Sequence, residues 1–100
     1  MPTYVMLSNL TDEGAKTLTE NPGRVQEVNK EIEKLGAKVT AQYATLGLYD
    51  FVNIIEAPTN EVMARIAMEL GARGTIKVTT MPAMPVAQFV DMLTGKSPGG

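Results

Sequence analysis

Tyr43-Ala44-Thr45-Leu46-Gly47-Leu48-Tyr49-Asp50-Phe51-Val52-Asn53-Ile54-Ile55-Glu56-Ala57 decides the fold. Its first residues end an alternating strand, Leu46-Gly47-Leu48 is a turn, and Tyr49 to Ala57 is a run rich in β-branched and aromatic residues with no breaker inside it. Gly47 supplies the positive φ that a tight hairpin requires. Two strands joined this closely pair antiparallel, and the second is apolar enough to be central in a sheet.

Outward from this hairpin the chain is nearly symmetrical. Upstream, Thr3 to Leu10 reads as a strand, and Thr11-Asp12-Glu13 as a helix start with a hydroxyl N-cap and acids at the positive end of the dipole. Asn21-Pro22-Gly23 interrupts that helix, with Asn21 expected as the new cap and Pro22 at the first helical position. Val25, Val28, Ile32 and Leu35 then form one apolar stripe, closed by Gly36. Ala37 to Thr45 is a strand in which Val39, Ala41 and Tyr43 alternate with Lys38, Thr40 and Gln42.

Downstream of the hairpin, Pro58 ends the strand and Thr59 caps a second long helix. Val62, Met63, Ile66, Ala67 and Leu70 make its buried face, Glu61 and Arg65 an i,i+4 pair, and Gly71 its end. Gly74 to Met81 alternates Ile76 and Val78 with Thr75, Lys77 and Thr79, a fourth strand. A Pro82/Pro85 segment leads to a short helix, Val86 to Leu93. The order βαββαβ plus a terminal helix predicts an α+β, ferredoxin-like fold, a four-stranded antiparallel sheet with both main helices on one face. Residues 1–95 read as one domain and 96–100 as a flexible tail.

Composition excludes much chemistry. Among 100 residues there is no cysteine and no histidine. Disulfides, thiolates, Cys/His zinc sites, a proximal-histidine haem and Ser-His-Asp or Cys-His nucleophile systems are therefore ruled out. No metal site or cofactor is expected. Nine basic and eleven acidic residues give a formal charge of −2, which opposes general binding to nucleic acid or anionic membranes. With no signal-peptide pattern and no apolar run near the ~18 residues of a bilayer span, a soluble cytoplasmic protein is expected.

The outer face of the sheet carries the functional question. Alternation is read here as placing Val5, Leu7, Val52 and Ile54 under the helices, and Tyr4, Met6, Ser8, Tyr49, Phe51, Asn53 and Ile55 on the open side. Thr40, Gln42, Lys77 and Thr79 join them from the outer strands. So apolar a face needs a cover. A second copy packed sheet to sheet, the terminal helix folded back, and stacked nucleic-acid bases are the three covers. RNA-recognition domains share this strand order and set aromatics two apart, as Tyr49 and Phe51 are. Here no Lys or Arg precedes the glycine, Asp50 stands between the rings, and the net charge is negative, so nucleic acid is set aside.

The segment from Tyr43 to Val52, continuing through Ile55-Glu56-Ala57-Pro58, resembles the signature of the GYD family, with Gly47, Tyr49 and Asp50 matching and Leu48 in the variable slot. The likeness extends from Tyr4 to about Met84. It implies a dimeric α+β barrel, two sheets facing across a cavity, and no particular activity. The wider group it resembles includes cofactor-free monooxygenases, isomerases of small ring compounds, haem enzymes and ligand-binding regulator domains, and the absence of histidine removes the usual haem variant.

Candidate ligand-binding residues are Tyr4, Tyr49, Asp50, Phe51, Asn53 and Lys77. Tyr49 and Asn53 are hydrogen-bonding groups, Asp50 a carboxylate at the cavity rim that either accepts turn N–H groups or acts as a base, and Lys77 a cation at the edge. Glu56 has the opposite parity and is assigned to capping the second helix. The expected function is a homo-oligomeric small-molecule-binding or regulatory module with a pocket between facing sheets, whose ligand is small and apolar or aromatic. The alternative is a cofactor-independent enzyme, of monooxygenase or isomerase type, resting on Tyr49, Asn53 and Asp50.

Overall fold

A computed structural model describes residues 1–95, and the expected tail at 96–100 lies outside the described residues. The elements are β1 (Thr3–Leu10), α1 (Asp12–Glu20), α2 (Arg24–Lys34), β2 (Lys38–Ala44), β3 (Phe51–Glu56), α3 (Asn60–Ala72), β4 (Ile76–Ala83) and α4 (Val86–Leu93). One antiparallel sheet has the order β2-β3-β1-β4, so β1 and β3 are central as the sequence predicts. This is the ferredoxin-like α+β arrangement.

Local chemistry sets the boundaries. The Thr11 hydroxyl accepts from the Gly14 N–H to start α1, and the Thr59 hydroxyl accepts from Val62 N–H to start α3, each satisfying an orphan donor of a first turn. Three local expectations are corrected. Asn21 closes α1 rather than opening α2, its N–H donating to the Thr17 carbonyl, and α2 begins after the Pro22-Gly23 turn without a side-chain cap. Gly71 lies within α3, which runs on to Ala72. On α3 the ion pair is Arg65 with Glu69, not with Glu61.

The main correction concerns the faces of the sheet. Tyr4, Met6, Ser8, Asn53 and Ile55 are buried under the helices. The side facing away from them carries Val5, Leu7, Val52 and Ile54, all half-buried. The register confirms it: Met6 lies opposite Asn53, Tyr4 opposite Ile55 and Ser8 opposite Phe51, while Leu7 pairs with Val52 and Val5 with Ile54. Both central strands are apolar on both sides, so their alternation fixes a period and leaves its phase undetermined. A bulge between Val39 and Ala41 further breaks the alternation of β2. It sets Val39 opposite Ile55 and Gln42 opposite Asn53, on the helix side, and Ala41 and Tyr43 opposite Ile54 and Val52, on the open side.

The core therefore lies between the helices and one face of the sheet, built from Tyr4, Met6, Ile32, Ala37, Ile55, Ala57, Met63, Ile66 and Leu70. α1 approaches the start of β4 so closely that a Cβ on Gly14 would lie 1.9 Å from the Thr75 carbonyl oxygen. Only a residue without a side chain fits there. Helix α4 packs substantially on no other element and buries none of its residues.

Candidate functional site

The helix layer does not close fully on the sheet. Between α1, α2, the end of α3 and the helix-side face lies a cavity of about 220 Å³. Leu18, Val25, Val28, Leu70 and Ile76 are among its apolar walls, Met6, Ser8, Phe51 and Asn53 its floor, and Arg24 and Arg73 reach its lining from the rim.

A polar network crosses the floor. Asn53, 2% exposed, donates through Nδ2 to the Met6 carbonyl (2.9 Å) and accepts at Oδ1 from Gln42 Nε2 (2.7 Å). Gln42 Oε1 in turn accepts from Asn29 Nδ2 on α2 (2.9 Å). Each amide is fixed by the next, so the buried polar atoms avoid the penalty of going unpaired. Burial of a polar amide under the helices is thereby tolerated. Ser8 stands beside this chain, its Oγ 3.5 Å from Asn53 Nδ2.

At the rim, Arg24 Nη1 meets Glu27 Oε2 (3.0 Å) and Glu31 Oε1 (3.2 Å), while Arg73 Nη2 donates to the other oxygen of Glu31. The Arg73 hydrogen bond, with that of Arg24, holds the Glu31 carboxyl below the ordinary carboxylate range. The Glu27 hydrogen bond is the main cause raising Arg24 above the usual guanidinium value. One carboxylate thus ties α2 to the end of α3.

The six expected ligand residues do not converge. Phe51 and Asn53 line this cavity. Tyr4 is buried beside a separate groove of about 210 Å³, its hydroxyl donating to Asn60 Oδ1 (2.5 Å). Asp50 Oδ2 accepts the Leu10 N–H (2.8 Å) and its own N–H bonds the Ser8 carbonyl, so it terminates β1. The Tyr49 carbonyl accepts from the Thr45 hydroxyl (2.6 Å) inside the hairpin turn, where Gly47 has φ +131°. Lys77 pairs with Asn9 on the other side of the sheet and is exposed. Glu56 lies between Thr3 and Lys38 in the sheet, and Thr59 takes the capping role expected of it. Of the three groups expected to perform acid–base chemistry, only Asn53 reaches the cavity. The residues missed by sequence reasoning are Arg24, Asn29, Gln42 and Arg73. The stripe Val25-Val28-Ile32 located α2 against the sheet, which puts Asn29 near its face, but no local signal brings Arg73 from the end of α3.

A GYD domain model matches residues 4–93, nearly the whole chain. The chain belongs to the GYD domain family. A Thermus thermophilus relative named glutamine synthetase and cystathionine beta-lyase binding protein is 50% identical over 94 residues, covering 93% of this chain and 99% of that protein. Among solved structures, FFRP-DM1 aligns with a TM-score of 0.56 at 21% identity, covering 84% of this GYD chain and 100% of the other. TTHA0845 from Thermus thermophilus aligns at 0.54 and 22% identity, covering 85% and 95%. These two likenesses show the fold.

Among the described residues no helix is long and apolar enough to cross a membrane, and no three acidic side chains converge as a metal site would need.

Proposed function

We propose that this GYD protein is a homo-oligomeric regulatory module that docks on enzymes of metabolism and carries a small-molecule pocket in each protomer. The observation that carries the reading is the half-identity, over nearly the full length of both chains, with a protein named for binding glutamine synthetase and cystathionine beta-lyase. Similarity that spans nearly the whole of both chains favours a shared mode of action over a shared scaffold alone.

Two features support the rest. The cavity over Asn53 and Phe51 has apolar walls and a few fixed polar groups, the usual make-up of a small-ligand site. These two residues are assigned to ligand contact, Tyr4 to the neighbouring groove, and Tyr49 and Asp50 to the hairpin that frames β3. The open face, with Val5, Leu7, Val52, Ile54, Tyr43 and Met81, is assigned to a second copy, and Lys77 flanks that seam. α4 supports the same assembly. Only Met84 and Pro85 separate it from β4, too short a link to turn the helix back over the centre of its own sheet, so Val86, Phe89, Val90 and Leu93 are assigned to the partner protomer. Such a module works in the cytoplasm beside its enzymes.

The test is co-purification of the tagged full-length chain with glutamine synthetase and cystathionine β-lyase from its own organism, with light scattering for stoichiometry. A complex of defined stoichiometry with at least one of them is expected. Failure to bind either at micromolar concentrations would remove the docking role.

A further inference from the structure

The floor and rim of the cavity restrict what kind of molecule fits it. About 150 Å³ of apolar cavity accommodates benzene, so about 220 Å³ holds a ring or branched chain with a compact head group. The walls, with Leu18, Val25, Val28 and Leu70, offer that body no hydrogen bonds. The head group is chosen at the rim, where two guanidinium groups from separate elements reach the lining.

Their spacing is demonstrated by the protein itself. Glu31 places one carboxylate oxygen on Arg24 and the other on Arg73, so the two cations are set apart by about one carboxylate. Each guanidinium has five N–H donors. Glu27 and Glu31 engage only Nη1 of Arg24 and Nη2 of Arg73. Among the described residues the remaining guanidinium donors of both have no side-chain acceptor. Glu31 is absent from the cavity lining, and so holds the pair from outside.

We propose that the cavity binds a small apolar monocarboxylate, its carboxylate on the inward donors of Arg24 and Arg73 and its apolar body against the α1–α2 wall. This rests on the small-molecule reading above and names the ligand class for that site. The two arginines balance Glu27 and Glu31 in formal charge, so a monoanion is matched by directed donors, whereas a phosphate dianion meets too little positive potential. Ser8, 4% exposed, supplies a hydroxyl on the floor for a ligand that carries an acceptor at its far end.

The test is calorimetric titration of the full-length protein with 4-methylpentanoate and 3-phenylpropanoate, each beside its primary amide. Acids are expected to bind at least tenfold tighter than amides. Arg73→Gln and Arg24→Gln should each erase most of that difference. Glu31→Gln should tighten acid binding, because it withdraws the competing carboxylate, an effect that a merely structural bridge would not give. Amides binding as tightly as acids would overturn the proposal while leaving a small-molecule pocket in place. Absence of binding by all four compounds would overturn both the carboxylate assignment and the pocket, and leave enzyme docking standing.

Discussion

The two faces of the sheet are built on opposite principles. Under the helices the sheet carries Asn53, Gln42 and Ser8 together with Tyr4, Met6 and Ile55, and Asn53 and Ser8 are as buried as their apolar neighbours while Gln42 is half-buried. On the other side its centre is aliphatic, Val5 and Leu7 against Ile54 and Val52, yet these residues are only half-buried. A monomer in water favours the reverse distribution. The inner face tolerates polar groups because a hydrogen-bonded chain from Met6 to Asn29 satisfies them. The outer face has no such provision, and its half-buried aliphatics are the reason a second copy is proposed to cover it.

Charge placed on the outer face is expected to have the largest effect. Leu7→Glu with Val52→Glu would bury uncompensated carboxylates at the proposed seam, at about 3–5 kcal/mol, and should yield folded monomers by sedimentation with far-UV dichroism retained. Next is Gly14→Ala on the inner side, where the new methyl would overlap the Thr75 carbonyl. Relief requires moving α1 off β4, and a loss of about 1–3 kcal/mol should appear in urea denaturation without a change of assembly. Asn53→Leu keeps the branched shape, at a larger volume, and takes from Gln42 Nε2 its acceptor and from the Met6 carbonyl a donor. It should lower stability by about 1–3 kcal/mol, again with assembly intact, and a more stable variant would mean that the inner network is dispensable.

Truncation after Pro85 sharpens the comparison further. The association constant should fall roughly tenfold, or about 1.4 kcal/mol, while the core of the protomer keeps its hydrogen-exchange protection. The smallest effect is electrostatic. The Glu31 carboxyl is depressed in the folded protein, so its stabilisation is complete above the unfolded-state value and is lost as pH falls through the folded one. A pH series of melting temperatures should therefore steepen in that acid window, and Glu31→Gln should flatten it. Because the group is partly exposed, high salt should weaken the effect.

Element order could be read from the sequence, as could the boundaries at which Thr11, Gly36, Pro58 and Thr59 act on the backbone within a few residues, whereas the start of α2, the end of α3 and both ends of β4 differ from expectation. The phase of the sheet was not legible. β1 and β3 are apolar at odd and even positions alike, and what sets the phase is remote. Gln42, brought round by the bulge after Val39, and the carbonyl of Met6 make burial of Asn53 acceptable under the helices. The site was half legible for the same reason. Phe51 and Asn53 declare themselves as unusual residues of a central strand, whereas Arg24 and Arg73 acquire a shared role only when α2 and the end of α3 meet over Glu31.

Native mass spectrometry of gently purified full-length protein tests most directly whether the outer face is completed by a second copy. A dimer or an even multiple, falling to monomer in the Leu7→Glu/Val52→Glu variant, is the expected result. A monomer at micromolar concentration, with the outer face still folded and exposed, would contradict it.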